Sequence, residues 1–342
     1  MLATSATPKL SICIPTYNRA QYLSHTLESI IDQAIDDIEI VISDNASIDN
    51  TREIYLYYKK RFENIRYHCN ESNLGADLNY LKSVELASGE YCWLFGSDDL
   101  MKPGSISKMI KEIMGGQDIF VCGFKLCDKN MNPLITHPIV NIDHDSSFNL
   151  SSTEERHNYF ESAVTTTAFF SLISSIVVKR AKWNQVAVDG KYLGTLWIHA
   201  AKCFGMIPFG LQLKYLHDEH FMKRGENDSF ADQGLTKRIG ISLDGYILLG
   251  LDFFGKDSFE LKQIRRVLQY EWPLRVFVTE YFNSKPQSAD MELVKTTFAK
   301  CYANSTLKDR IGRMIFEFDG LRFCYYTALI IFRKAKKLVL GL

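Results

Sequence analysis

With 342 residues, 46% of them hydrophobic and 23% charged, the chain has the composition of an ordinary globular protein of about two domains, not of a disordered or fibrous one. Its formal net charge of zero argues against a general nucleic-acid binder. The eight cysteines form no CxxC pair and several lie in apolar runs such as "LSICIP" and "IFVCGF", the use of cysteine as a small core hydrophobe, so a reduced, cytoplasmic compartment is expected. The first residues carry no signal-peptide pattern, and no stretch reaches the ~20 apolar residues of a spanning helix.

In chain order, "KLSICIP" (9–15) predicts a strand stopped by Pro15. Tyr22, Leu23, Leu27, Ile30, Ile31 and Ala34 then make a helical stripe over 21–34. Strands are predicted at 38–44, 65–70, 90–95 and 118–126, and helices at 50–62, 75–87 and 103–114. This alternation predicts an α/β fold, a Rossmann-like, mostly parallel sheet flanked by helices on both faces. Residues 126–150 read as a polar connection. "FSLISSIVV" (170–178) reads as a strand and "GTLWIHAAKCFG" (194–205) as a helix ended by Gly205. "HDEHFMKRGENDS" (217–229) reads as a polar cluster, with a solvated loop between elements as its plainest explanation. From 236 onward the pattern is helical. The expected division is 1–125, 126–235 and 236–342.

In such sheets ligands bind beyond the carboxyl ends of the strands. Those ends are polar here: Pro15-Thr16-Tyr17-Asn18, Asp44-Asn45-Ala46-Ser47, Asn70 to Gly75, and Gly96 to Asp99. No GxGxxG and no GxxxxGK[ST] follows a strand, so the phosphates of a nucleotide need another partner. Asp98 and Asp99, delivered by the apolar run "YCWLF", suit a hard divalent cation, Mg²⁺ or Mn²⁺, that bridges diphosphate oxygens.

Four motifs in order, "LSICIPTYNRAQYLSHTLESI", "IEIVISDNASIDNT", "NLGADLNY" and "YCWLFGSDD", resemble the nucleotide-binding half of family-2 glycosyltransferases of GT-A fold, over about residues 8–125. Three later stretches, "SLISSIVVKRAKW", "GTLWIHAAKCFG" and "RGENDS", resemble bacterial O-antigen transferases of the abequosyltransferase type, which use CDP-3,6-dideoxyhexoses. The resemblance implies a nucleotide-sugar donor, with Pro15, Thr16 and Tyr17 lining base and ribose. It implies that Asp44 accepts a hydrogen bond from the base, and that Asp77 and Asn79 approach the ribose or diphosphate. Asp98 would face the ribose or metal, and Asp99 would hold the metal. Relatives carry a further Asp two residues before the pair; here Gly96 stands there.

An inverting transfer needs a base near the acceptor hydroxyl. The family places acids just before the 194–205 helix, and this chain has none there. His199, on that helix, and Asp189, upstream of it, are the base candidates, with Glu161 behind them. Arg224 could pair with phosphate oxygens, and His217 and His220 could ligate a metal. Residues 304–342 hold eight Lys/Arg and three acids, a charge of +5. There Arg322, Arg333, Lys334, Lys336 and Lys337 flank "FCYYTALIIF", which suits a membrane interface. The expectation is a peripheral enzyme on the cytoplasmic face of the inner membrane, acting on a lipid-linked oligosaccharide acceptor and not on nucleic acid. The alternatives are a sugar-nucleotide pyrophosphorylase, whose glycine-rich opening loop is missing, and a non-catalytic scaffold of the same fold.

Overall fold

A computed structural model describes residues 7–227, 234–284, 288–303, 306–318, 324–325 and 327–328. The chain divides into two compact units, Met1–Asp228 and Ser229–Leu342.

The first unit is built on one ten-stranded sheet. Strands β1 (Leu10–Thr16), β2 (Ile38–Asp44), β3 (Ile65–Cys69) and β4 (Tyr91–Leu94) pair in parallel in the order β3-β2-β1-β4. Every residue of β1, β2 and β4 is buried, which is why these strands read as unbroken apolar runs. Helices α1 (Ala20–Ile31), α2 (Thr51–Lys59) and α3 (Ala76–Glu85) make the crossovers. The stripe on α1 is confirmed, with Leu23, Leu27 and Ile30 buried. Helix α4 (Ser105–Ile113) buries Ile106, Met109, Ile110 and Ile113, one face at helical spacing.

Beyond β4 the sheet turns mixed. A two-residue strand, β5 (Leu100–Met101), precedes the long β6 (Ile119–Cys127). The polar stretch after β6 holds two short strands, β7 (Pro133–Thr136) on β6 and β8 (Ser146–Asn149) on the far edge. Helix α5 (Thr153–Ser162), strand β9 (Ile176–Lys179) and helices α6 (Arg180–Asn184) and α7 (Ile198–Gly205) follow, then β10 (Gln212–Lys223). The order is completed as β4-β9-β6-β10-β5, with β9 antiparallel to both neighbours and β10 parallel to β6.

Two sequence expectations need correction here. "FSLISSIVV" is a strand only from Ile176; residues 173–175 form a 3₁₀ turn with Ser174 and Ser175 fully buried. Apolar content alone cannot separate a buried turn from a buried strand. The polar cluster at 217–223 is not a loop but the second half of β10. Its charges are paired: Glu219 with Lys102 (2.8 Å) and Lys125 (2.9 Å), Asp218 with Lys108 (2.8 Å). The β6–β10 register slips between Leu216 and Phe221. The bulge presses on Gly123, where a Cβ would sit 2.6 Å and 2.7 Å from the His217 and Asp218 carbonyl oxygens.

The second unit is helical: α8 (Leu235–Phe254), α9 (Phe259–Glu271), α10 (Leu274–Asn283), α11 (Ala289–Tyr302) and α12 (Thr306–Glu317). Ser258 and Ser288 cap α9 and α11 through their side chains, as serine does at an N-cap. Ile239, Leu243, Tyr246, Ile264, Phe277 and Phe298 form its core. No helix among the described residues is long and apolar enough to cross a membrane. The basic residues Arg322, Arg333, Lys334, Lys336 and Lys337, and Ser229 of "RGENDS", lie outside the described residues.

Candidate active site

Polar side chains lock the carboxyl ends of β1, β2 and β3 together. Asn79 donates to the carbonyls of Thr16 (3.3 Å) and Ser43 (3.0 Å) and accepts from Ser43 (2.8 Å) and Asn70 (3.2 Å). It is a buried brace between strands, and the expected ribose or diphosphate contact is not the use its amide has here. Asp44 accepts from the Ser47 amide (3.0 Å), the Ser47 hydroxyl (2.5 Å) and the Tyr67 hydroxyl (2.5 Å). Burial and the Asp44 carboxylate push the Tyr67 phenol far up, so it stays a donor. Pro15 and Thr16 are buried in the strand while Tyr17 opens to solvent. The Thr16 hydroxyl finds no partner among the described residues, an unspent polar group at the strand end.

The carboxylate pair has a defined cradle. Asp99 is 3% exposed. Its Oδ2 accepts from the Ser174 hydroxyl (2.5 Å) and its Oδ1 from the Arg224 amide (3.0 Å). Burial, and then the charge of Asp98, push its carboxyl up to about 7. Asp98 is more open; its Oδ2 accepts from Asn227 (2.6 Å) and lies 4.0 Å from Arg19 Nη1. A Cβ at Gly96 would lie 3.0 Å from Asp99 Oδ2, 3.1 Å from Ser174 Oγ and 3.2 Å from Asp98 Oδ1. One oxygen of each carboxylate therefore converges on the space that the missing side chain leaves.

Arg224 is almost fully buried and braces this loop. Its Nε donates to the Asp98 carbonyl (3.1 Å), its Nη1 to the Lys129 carbonyl (2.7 Å), and its guanidinium stacks 4.8 Å from the Tyr22 ring centroid. It shapes the carboxylate loop, and those donors are already spent where a phosphate clamp was expected. Arg19 faces the Asp98 carboxylate at 4.0 Å and also donates to the Asn227 carbonyl (3.3 Å). Sequence reading passed over Arg19, although a lone basic residue directly after the first strand-end loop was visible. It also passed over Ser174, which is 75 residues from Asp99 and lies in the stretch "SLISSIVVKRAKW", whose resemblance gave that serine no role.

Asp77 is held by backbone amides of another segment. Its oxygens accept from the Leu196 (3.0 Å) and Ile198 (3.4 Å) amides, so a residue of α3 caps α7. Burial raises its carboxyl against the pull of those amides. The capped turn is unusual, with Leu196 at φ 72°, left-handed backbone for a bulky residue.

His199, expected as the base, lies inside the fold. The ring is 2% exposed, lies edge-on to Tyr80 with centroids 5.4 Å apart, and meets no partner in hydrogen-bond geometry among the described residues. Burial lowers it to about 4, the backbone of Phe170 and Ser171 opposing without reversing the shift. Asp189 is exposed and caps a short 3₁₀ turn through the Lys191 amide (3.0 Å), which with the Lys191 charge keeps it ionised. Glu161 is exposed on α5. His217 and His220 part company: His217 is exposed, whereas His220 is buried against Trp93 and pushed down to about 4 by burial. Among the described residues no three His, Cys, Asp or Glu side chains gather as a metal-ligand set.

The glycosyl transferase family 2 profile matches residues 11–180. The chain is 35% identical over 272 residues to abequosyltransferase RfbV of Salmonella typhimurium, covering 77% of this chain and 81% of that one. It is 26% identical over 196 residues to a GalNAc(5)-diNAcBac-PP-undecaprenol β-1,3-glucosyltransferase of Campylobacter jejuni, covering 57% and 60% of the two chains. In fold it is similar to S. aureus TarS in complex with UDP-GlcNAc, with TM-score 0.59, 15% identity, and 92% and 89% of the chains covered. It is likewise similar to the mannosyltransferase PcManGT of Pyrobaculum calidifontis in complex with GDP-Man and Mn²⁺, with TM-score 0.53, 13% identity, and 97% and 87% covered. The pyrophosphorylase and scaffold alternatives fall away. On a GT-A fold whose carboxyl edge ends in a cradled Asp98–Asp99 pair, and with a relative of this identity and coverage, the chain belongs to glycosyltransferase family 2 and is a glycosyltransferase.

Proposed function

We propose that the chain transfers a 3,6-dideoxyhexose such as abequose from a CDP-sugar to a lipid-linked oligosaccharide in O-antigen synthesis, with inversion and with Mg²⁺ or Mn²⁺ as cofactor. The similarity to an abequosyltransferase supports the donor class. The observation that carries the chemistry is the convergence of Asp98 Oδ1 and Asp99 Oδ2 beside Gly96. Two carboxylates are the usual protein share of a Mg²⁺ or Mn²⁺ site that the substrate's phosphates complete, so the donor set fits. Asp98 and Asp99 would hold the ion. Bound there, it would offset the negative charge that develops on the departing nucleoside diphosphate.

The remaining work falls to the chain's own groups. Tyr17, open to solvent beside the buried Pro15 and Thr16, offers a face to the nucleoside, and Asp44 an acceptor set rigidly by Ser47 and Tyr67. Arg19 stands beside Asp98 as the cation able to meet a diphosphate oxygen. The acceptor hydroxyl oxygen forms the new bond to the anomeric carbon as the bond to the phosphate oxygen breaks, and its proton passes to a base. Asp189, ionised and open to solvent, takes that role in the proposal in place of His199.

The peripheral location is supported by α12. Its Leu307, Ile311 and Met314 are all exposed at spacings of four and three, one apolar stripe on one face, and Phe318 just past its end is exposed too. That stripe precedes the basic segment, an arrangement suited to an anionic lipid surface.

A donor screen tests the reading. Purified protein with Mn²⁺ is expected to release nucleotide from a CDP-sugar faster than from UDP-, GDP- or dTDP-sugars, and Asp99→Ala to abolish release. Equal release from every donor would overturn the donor class, and full activity of Asp99→Ala the role of the carboxylate pair.

A further inference from the structure

Ser174 lies inside the stretch "SLISSIVVKRAKW", on the 3₁₀ turn before β9, and it is fully buried. Its hydroxyl makes two bonds that meet at the carboxylate pair. It accepts from the Gly96 amide (2.8 Å) and donates its single proton to Asp99 Oδ2 (2.5 Å). The turn that carries it is itself held, because Trp93 Nε1 donates to the Ser174 carbonyl (2.9 Å) from a fully buried indole. With the Arg224 amide on Oδ1, both Asp99 oxygens are fixed and the carboxylate plane cannot swing. The space toward which Oδ2 points is the one a Cβ at Gly96 would fill, and Asp98 Oδ1 borders the same space.

We propose that Ser174 is a positioning residue: paired with the open space at Gly96, its hydroxyl holds Asp99 so that the two carboxylates present a preformed cradle to a divalent cation. This rests on the cation-and-diphosphate reading above. The chain then needs no third acid at position 96. An aspartate there would bring its Cβ to 3.0–3.2 Å of two carboxylate oxygens and the Ser174 hydroxyl, and a third negative charge with it. Preorganisation of this kind acts on binding as well as on rate, since a carboxylate already in place loses no rotamer freedom when the ion arrives.

The test is a Mn²⁺ titration of the full chain with CDP present, read by the electron paramagnetic resonance of free Mn²⁺, beside circular dichroism of each variant. Ser174→Ala is expected to weaken Mn²⁺ binding at least tenfold, and Ser174→Thr, which keeps the hydroxyl, to recover most of it. Gly96→Ala retains Ser174 and puts a methyl group into the cradle, so it too is expected to weaken binding; it decides the question if Ser174→Ala does not fold. Asp99→Ala is the reference. If Asp99→Ala binds Mn²⁺ as the unmodified chain does, the cation reading itself fails. If Asp99→Ala loses Mn²⁺ while Ser174→Ala and Gly96→Ala keep full affinity, only the positioning role is overturned.

Discussion

Asp98 and Asp99 are neighbours in sequence and opposites in environment. Asp99 is sealed, with its carboxyl pushed to about 7, while Asp98 is partly open beside Arg19 and Asn227. Two like charges side by side destabilise a fold unless something shares the charge, and a strand end that delivers both is better explained by a ligand than by stability. The two candidate bases show a similar contrast. Asp189 is exposed and ionised, and His199 is sealed and neutral. Asp189→Asn is therefore expected to lower the transfer rate about 10²-fold or more with donor affinity unchanged, measured by steady-state kinetics against calorimetric donor binding. An unchanged rate would remove Asp189 from the mechanism.

At the scale of elements, α7 depends on another helix for its start. No side chain within its own first turn caps it; Asp77 on α3 instead accepts from its first amide, Ile198, and from Leu196 just before the helix. Such a cap ties two helices that are more than a hundred residues apart, and it stabilises the left-handed turn at Leu196. Asp77→Ala should cost about 1–2 kcal/mol and lower the melting temperature by roughly 2–6 °C, whereas Asp77→Asn, which keeps an acceptor oxygen, should lose less. Calorimetric melts of the two variants check this; equal losses would mean that the charge, not the acceptor, holds the turn.

The whole molecule carries several neutral, sealed histidines, and their effect on stability has a definite sign. His199 and His220 are lowered from the ordinary 6.5 to about 4 by burial, so between pH 6.5 and 4 the unfolded chain binds protons that the folded chain refuses. Stability contributed by each is present above pH 6.5 and is lost as pH falls toward 4, on the order of 3 kcal/mol apiece. Asp99, raised to about 7, contributes with the opposite sign over the same window, so the difference between variants is the readout. The melting temperature of His220→Phe should fall less, or rise more, between pH 6.5 and 4 than that of the unmodified chain, and a variant with the same pH dependence would contradict the account. The basic C-terminal charge makes a second prediction at this scale. The full chain should float with anionic vesicles but not with neutral ones. Replacing Arg333, Lys334, Lys336 and Lys337 by alanine should weaken that binding at least tenfold, at ~1 kcal/mol per charge. Equal flotation with neutral vesicles would sink the electrostatic part of the membrane reading.

The four parallel strands, their crossover helices and the polar carboxyl edge were legible in sequence because burial on both faces writes itself as unbroken apolar runs, and amphipathic helices write themselves at a period of 3.6. The identity of the carboxylate pair was legible for the same reason: it ends such a run. What the sequence could not express is pairing between distant segments. Ser174 on Asp99, Asp77 on the start of α7, and the charged half of β10 against Lys102, Lys108 and Lys125 are contacts between residues that look ordinary where they stand. The burial of His199 was hidden for a related cause, since a histidine's basicity depends on its solvent and not on its place along a helix. The sequence by itself determined the strands, the edge and the acids. Only tertiary structure decided which groups are sealed, which are open and which hold the others in place, because hydrogen bonding and desolvation depend on neighbours in space.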